Sequence, residues 1–255
     1  MVSLDLRDLL PQSSFVHAIV RPVPINHHPL ALFPGWFEAL CTMSLVAGVL
    51  CAVTVAIDLS RRPTGMPVMR IVWPVAALFG HLPLVWFYVR HGRTSRRYAV
   101  IVAKGTLHCG AGCAIGDIVA ESLAYAAPTV AVAFGWHSWF QQKIYAVWVL
   151  DFVLAFAVGI LFQYFAIVPM RKLTPSQGIV AAFKADTLSL TAWQVGMYGL
   201  MAVMQFIVFP HAFRGRAPVN SVEFWAAMQL AMLAGFATSF PMNWWLIRVG
   251  IKERM

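Results

Sequence analysis

Charge is scarce in this sequence. Of its 255 residues only ten are acidic and nineteen are Lys or Arg, 11% together, where a soluble domain carries about 25%. Hydrophobic residues make up 60%. That balance excludes a disordered chain, a coiled coil and an ordinary soluble enzyme, and it puts the chain in bulk contact with lipid. Four cysteines give no reason to expect a framework of stable disulfides. Phosphate-loop, dinucleotide-binding and zinc-protease patterns are all missing, as are internal repeats and low-complexity tracts. The opening MVSLDLRDLL has neither a basic start nor a sustained apolar run, so a secretory leader is not expected there.

What the chain does have is long stretches without charge. They cover 39–57, 71–89, 122–142, 152–170, 187–213 and 224–247. A helix rising 1.5 Å per residue crosses a hydrocarbon core about 30 Å thick with roughly 20 residues. The expected fold is therefore all-α, a polytopic membrane bundle of six transmembrane helices at 35–58, 68–90, 105–128, 144–168, 185–209 and 223–248. Residues 1–34 read as an N-terminal cytoplasmic segment, a short amphipathic helix and then an extended entry. Residues 35–255 form the membrane domain.

The Lys and Arg residues set the orientation. The N-terminus, the second and fourth connections and the C-terminus together hold thirteen, and the other side holds six. The positive-inside rule then places both termini in the cytoplasm. The basic run RHGRTSRR lies between two spans, where such clusters meet anionic lipid rather than nucleic acid.

The third span carries the chemistry. It reads GTLHCGAGCAIGDIVAE, and Cys109, Cys113, Asp117 and Glu121 recur every fourth residue. That spacing draws one slowly winding stripe along a helix face. Carboxyls in hydrocarbon are costly unless they face a partner, a cavity or an ion. Cys109, Cys113, Asp117 and the flanking His108 form the candidate metal set. Two thiols and an imidazole are soft donors, suited to Cu(I) or Zn(II) rather than Mg or Ca. Zinc wants four ligands in a tetrahedron, whereas Cu(I) accepts two or three and leaves one thiol protonated, so copper is favoured over zinc. The competing structural reading makes the cysteines small buried hydrophobes and uses Gly110, Gly112 and Gly116 for close helix packing. Glu121 would balance charge or carry protons.

Other spans offer further partners. His81 lies between Pro74 and Pro83 in the second. Asp186, Gln194, Met197 and Met201 share a face of the fifth, and Met228, Met232 and Asn243 lie on the sixth. Thioethers can relay Cu(I), although Met is more often packing filler. His81, His108, Cys109, Cys113, Asp186 and Asn243 are expected at similar depth, which allows one shared site.

The segments HCGAGCAIGD, FQYFAIVPMR, DTLSLTAWQVGMYG and FPMNWWLIRVGIKERM resemble the bacterial membrane family known as domain of unknown function 4396, over about residues 100–255. The resemblance implies an integral membrane bundle and marks His108, Cys109, Cys113, Asp117, Asp186, Asn243 and Arg248 as motif positions. It brings no reaction with it. The leading expectation is a protein that binds or transports a soft metal ion, copper first, with the lipid bilayer and the ion or a small ligand as partners and an oligomer allowed. The alternatives are a membrane thiol oxidoreductase using Cys109 and Cys113, and a non-catalytic assembly scaffold.

Overall fold

The computed structural model describes residues 30–62, 64–93, 97–171 and 174–254, with the side chains of 169–171 left aside. The expected amphipathic helix within 1–34 falls almost wholly outside these residues. Among them the order is α1 (Gly35–Arg61), α2 (Met69–His91), α3 (Tyr98–Ala126), the short α4 (Pro128–Ala133), α5 (Lys143–Arg171), α6 (Pro175–Val203), a π-helical turn (Met204–Val208), α7 (Phe209–Phe213) and α8 (Val222–Arg248). Six helical stretches are long and apolar enough to cross a membrane: α1, α2, α3, Lys143–Val168 of α5, Pro175–Phe213, and α8. The protein is a multi-pass membrane helix bundle.

All six spans occur where the charge-free runs place them, but two begin earlier than expected. α3 starts at Tyr98 rather than 105, and α6 at Pro175 rather than 185. Charge-free runs locate the hydrocarbon core, not the helix ends. Lys104 sits inside α3 and donates to the Gly92 carbonyl at 3.3 Å. Thr174 precedes Pro175, whose ring suits the first helical position, and the Gln177 side chain accepts from the Thr174 N–H.

α3 runs through the middle of the bundle. Within its apolar window 83% of residues are buried, against 28% for α1. It touches α2, α5, α6 and α8. Its composition explains the position, since Gly and Ala let neighbouring backbones close in. A Cβ on Gly116 would lie 2.4 Å from Cα and N of Ala155, and one on Gly112 would lie 3.0 Å from Cα of Gly159. The two small-xxx-small pairs therefore face each other across α3 and α5. Gly110 receives the Trp193 indole instead, 2.1 Å from where its Cβ would stand. The outer helices turn Leu50, Val195 and Leu82 outward, toward lipid.

α2 is broken. His81 has φ 48° and ψ −145°, a conformation that costs a non-glycine residue about 1–3 kcal/mol. Pro83 has no N–H for the Phe79 carbonyl, so the ladder opens here. Gln229 of α8 donates to the Leu78 carbonyl at 2.6 Å and accepts from the Ser44 hydroxyl at 2.8 Å. The break is thereby clamped between α1 and α8.

Candidate functional site

The stripe on α3 is buried along its whole length. Cys109, Cys113 and Asp117 are fully enclosed and Glu121 is 2% exposed. Their inward orientation is what the cost of a carboxyl in hydrocarbon requires. Twelve residues separate Cys109 from Glu121, about 18 Å of helix, so the stripe crosses a large part of the membrane.

At the Cys109 end, α6 and the chain beyond α8 complete a polar cluster. Lys252 Nζ lies 2.6 Å from Asp186 Oδ1, with both side chains fully buried. The same ammonium donates to Cys109 Sγ at 2.8 Å and to Ser189 Oγ at 3.2 Å. The Cys109 thiol reaches Asp186 Oδ1 at 3.3 Å and shares a 2.8 Å hydrogen bond with Ser189. Behind them, Ser239 Oγ donates to the Ser189 carbonyl at 2.9 Å, and Asn243 donates to Ser239 Oγ at the same distance. Asp186 Oδ2 and Asn243 Oδ1 keep no hydrogen-bond partner. α6 thus packs against α3 with Asp186 beside Cys109, at the shared depth expected of the two.

Lys252 reaches this cluster because α8 ends at Arg248 and Gly250 turns the chain back with φ +78°. The N–H groups of Ile251 and Lys252 both donate to the Leu246 carbonyl, at 3.0 and 3.2 Å. A left-handed glycine just past a helix end suits that reversal. Burial alone lowers the Lys252 pKa, but the Asp186 carboxylate, followed by Cys109, outweighs it, and the net shift is upward from 10.5. The lysine is a buried cation held in place. Counting it only among the interfacial charges that orient the chain misses this.

The middle and far end of the stripe hold carboxyls. Asp117 lies within electrostatic reach of Gln194 and Glu121, and Asp151 of α5 within reach of both Asp117 and Glu121. Asp117 and Asp151 are fully buried with all four carboxyl oxygens unpartnered, and the Gln194 amide is unpartnered too. Lys143 faces Glu121 and donates to the Ala124 carbonyl at 2.7 Å. A cavity of about 190 Å³ adjoins Glu121 and Lys143 and reaches Gln205 and Arg216. Gln205 stands in the π-helical turn and donates to the Ala217 carbonyl at 3.0 Å.

The remaining expected partners divide. His108 is fully buried, packs edge-on to Phe162 at 5.9 Å and leaves both ring nitrogens unpartnered. It lies within electrostatic reach of Asp186 and Lys252, yet one residue from Cys109 is a quarter turn or more off the stripe. His81 does not join them. It stands against α1, with Nε2 3.2 Å from the point a Gly48 Cβ would occupy, because the break in α2 swings it there. Met228 and Met232 line a lateral cavity that also reaches Asp117, whereas Met197 and Met201 are enclosed in the core. Among the described residues no group of three or more His, Cys, Asp and Glu side chains is arranged to hold a metal ion. Spacing along one helix explains this. Donors at every fourth residue lie about 6 Å apart along the axis, and a compact ligand set needs donors from other helices.

Lys252 is the member of the cluster that sequence reasoning left out, whereas Asp151 and Ser189 are readable as polar residues on the fourth and fifth spans without an assigned partner. Gly250 followed by a lysine two residues later is the readable signal for Lys252. Asp151 lies seven residues after the start of its span, and Ser189 one helical turn beyond Asp186.

No curated protein and no solved structure matches the chain. A family model does, from the start of α3 through the lysine that closes the buried cluster. On that match to residues 100–252, the chain belongs to the family described as Domain of unknown function (DUF4396).

Proposed function

We propose that this protein moves a cation through its helical bundle along the buried face of α3, and that a soft monovalent metal, Cu(I), is the cargo its thiols favour. One observation supports this reading above the rest: a carboxylate, a thiol and a hydroxyl already surround a buried ammonium, that of Lys252. A pocket that holds one positive charge keeps its charge balance when another monovalent cation replaces the first. A divalent ion would leave an excess charge in a medium where unpaired charge is costly. Cu(I) would take Cys109 as its first soft donor once Lys252 withdraws. Cys113 would follow one turn further along, and Asp117, Glu121 and Asp151 would balance the charge beyond it. His108, buried within electrostatic reach of Asp186 and Lys252, would be a further nitrogen donor.

The membrane in this reading is a bacterial inner membrane with both termini cytoplasmic. Lys252 then guards the cytoplasmic end and Lys143 the outer end. Elemental analysis of the protein purified in mild detergent tests the reading. Copper at a stoichiometric level in the wild type, and its loss in the Cys109→Ser/Cys113→Ser variant, is the expected result. Equal metal content in both removes the thiols from the site.

A second reading rests on the free thiols of Cys109 and Cys113, one helical turn apart on α3: a thiol oxidoreductase in which the pair cycles between dithiol and disulfide, an external oxidant taking the two electrons. Maleimide labelling that falls by two thiols on oxidation would single out that chemistry.

A further inference from the structure

A second cavity, of about 350 Å³, lies between α1, α2, α3 and α8. Its walls are Phe79, Trp225, Met228 and Met232, with Gln229 at one side and Asp117 in the inner wall. Val49, about half exposed, and Ile118, 41% exposed, stand at its edge. Val49 is near the middle of α1 and Ile118 is about two thirds of the way along α3, so the cavity opens sideways within the spans, toward acyl chains rather than toward water.

The polar groups here are unequal. The Gln229 amide already donates to Leu78 and accepts from Ser44. Asp117 has no hydrogen-bond partner on either oxygen and no contact with water. The cavity thus offers an apolar, partly aromatic enclosure with one unsatisfied carboxyl. Its size falls within the range of small-molecule pockets, and such pockets combine apolar walls with a few orienting polar groups.

We infer that this cavity binds a hydrophobic organic cation that arrives from the lipid. Charge complementarity selects that class. An ionised Asp117 in hydrocarbon needs a positive partner, and the rings of Phe79 and Trp225 attract cations over their faces. Apolar substituents on the cation replace lipid contacts with Met228 and Met232, whose unbranched chains can yield to admit it. The Asp117 carboxyl, without a hydrogen-bond partner on either oxygen, supplies the one open polar contact that such a cation would take. This inference goes beyond the passage of a metal ion and needs neither Cys109 nor Cys113.

Tetraphenylphosphonium is a suitable probe. Isothermal titration of the detergent-solubilised protein reads the affinity. The wild type is expected to bind saturably. Asp117→Asn, which removes the carboxyl charge and keeps the shape, should lose tenfold or more in affinity. Val49→Trp fills the mouth from the lipid side and leaves the carboxyl in place. It should weaken binding by a comparable factor, which guards against a folding defect in the first variant. Saturable binding that is the same in Asp117→Asn and Val49→Trp as in the wild type, or no saturable binding in the wild type, would overturn the inference. Should copper binding fail in its own test, this result would be unaffected.

Discussion

Lys252 shows how a single residue can be visible in sequence and still be misread. Its charge contributes to the thirteen that orient the chain, and nothing in composition separates it from Arg248 or Arg254. What separates it is a backbone reversal at Gly250, which the sequence does display, and an acid on another helix, which no pattern in the residues around it reveals. The thiols and Asp117 were legible because their spacing matches the helix period. Breaking the Lys252–Asp186 pair should be severe. Asp186→Asn or Lys252→Met leaves one buried charge uncompensated, a loss of about 3–5 kcal/mol, measurable as a large fall in the melting temperature in detergent. Lys252→Met combined with Asp186→Leu should recover most of it. The upward shift of Lys252 from 10.5 fixes the pH dependence. A raised folded-state pKa adds stability that is fully present below the unfolded value and is lost as pH rises through the folded one. Melting curves should therefore show no loss from this pair between neutrality and pH 10.5 and a decline above it. The Lys252→Met variant should lack that decline.

At the scale of the helices, the small residues of α3 decide what its functional face can meet. Because Gly112 and Gly116 lie against Gly159 and Ala155, the backbones of α3 and α5 touch and bring Asp151 within reach of Asp117. The sequence displayed the glycines but not their partners, since a close-packing motif names one side of a contact only. Gly116→Ala is expected to force the helices apart and to destabilise by about 1–3 kcal/mol, the usual range for overpacking. Gly199→Ala provides the comparison. It meets nothing within 4 Å on α6, and removing a helical glycine there should stabilise by up to about 1 kcal/mol. Side-by-side thermal unfolding of the two variants checks both signs. The helix starts were less legible than the spans for a related reason. The lipid core fixes where charge is absent, while caps such as Thr174 and Gln177 fix where the backbone begins to coil.

For the whole molecule, six spans require both ends of the membrane domain to lie on one side. In the proposed reading that side is the cytoplasm, on the division of basic residues, thirteen to six. An alkaline phosphatase fused after Met255 should be inactive and a fluorescent protein at the same position should glow; the reverse pair of results would invert the bundle. That orientation matters to the account, because it assigns Lys252 to the inner end of the α3 stripe and Lys143 to the outer end. Between them run a thiol pair and three carboxyls with few hydrogen bonds to occupy them, an arrangement that makes sense for a charge in passage. The most direct measurement is anaerobic titration of the purified protein against a Cu(I) chelator of known affinity. The wild type is expected to withdraw one equivalent of Cu(I) from the chelator, and Cys109→Ser/Cys113→Ser none. Equal withdrawal by both proteins would remove the two thiols, and with them the proposed copper path, from consideration.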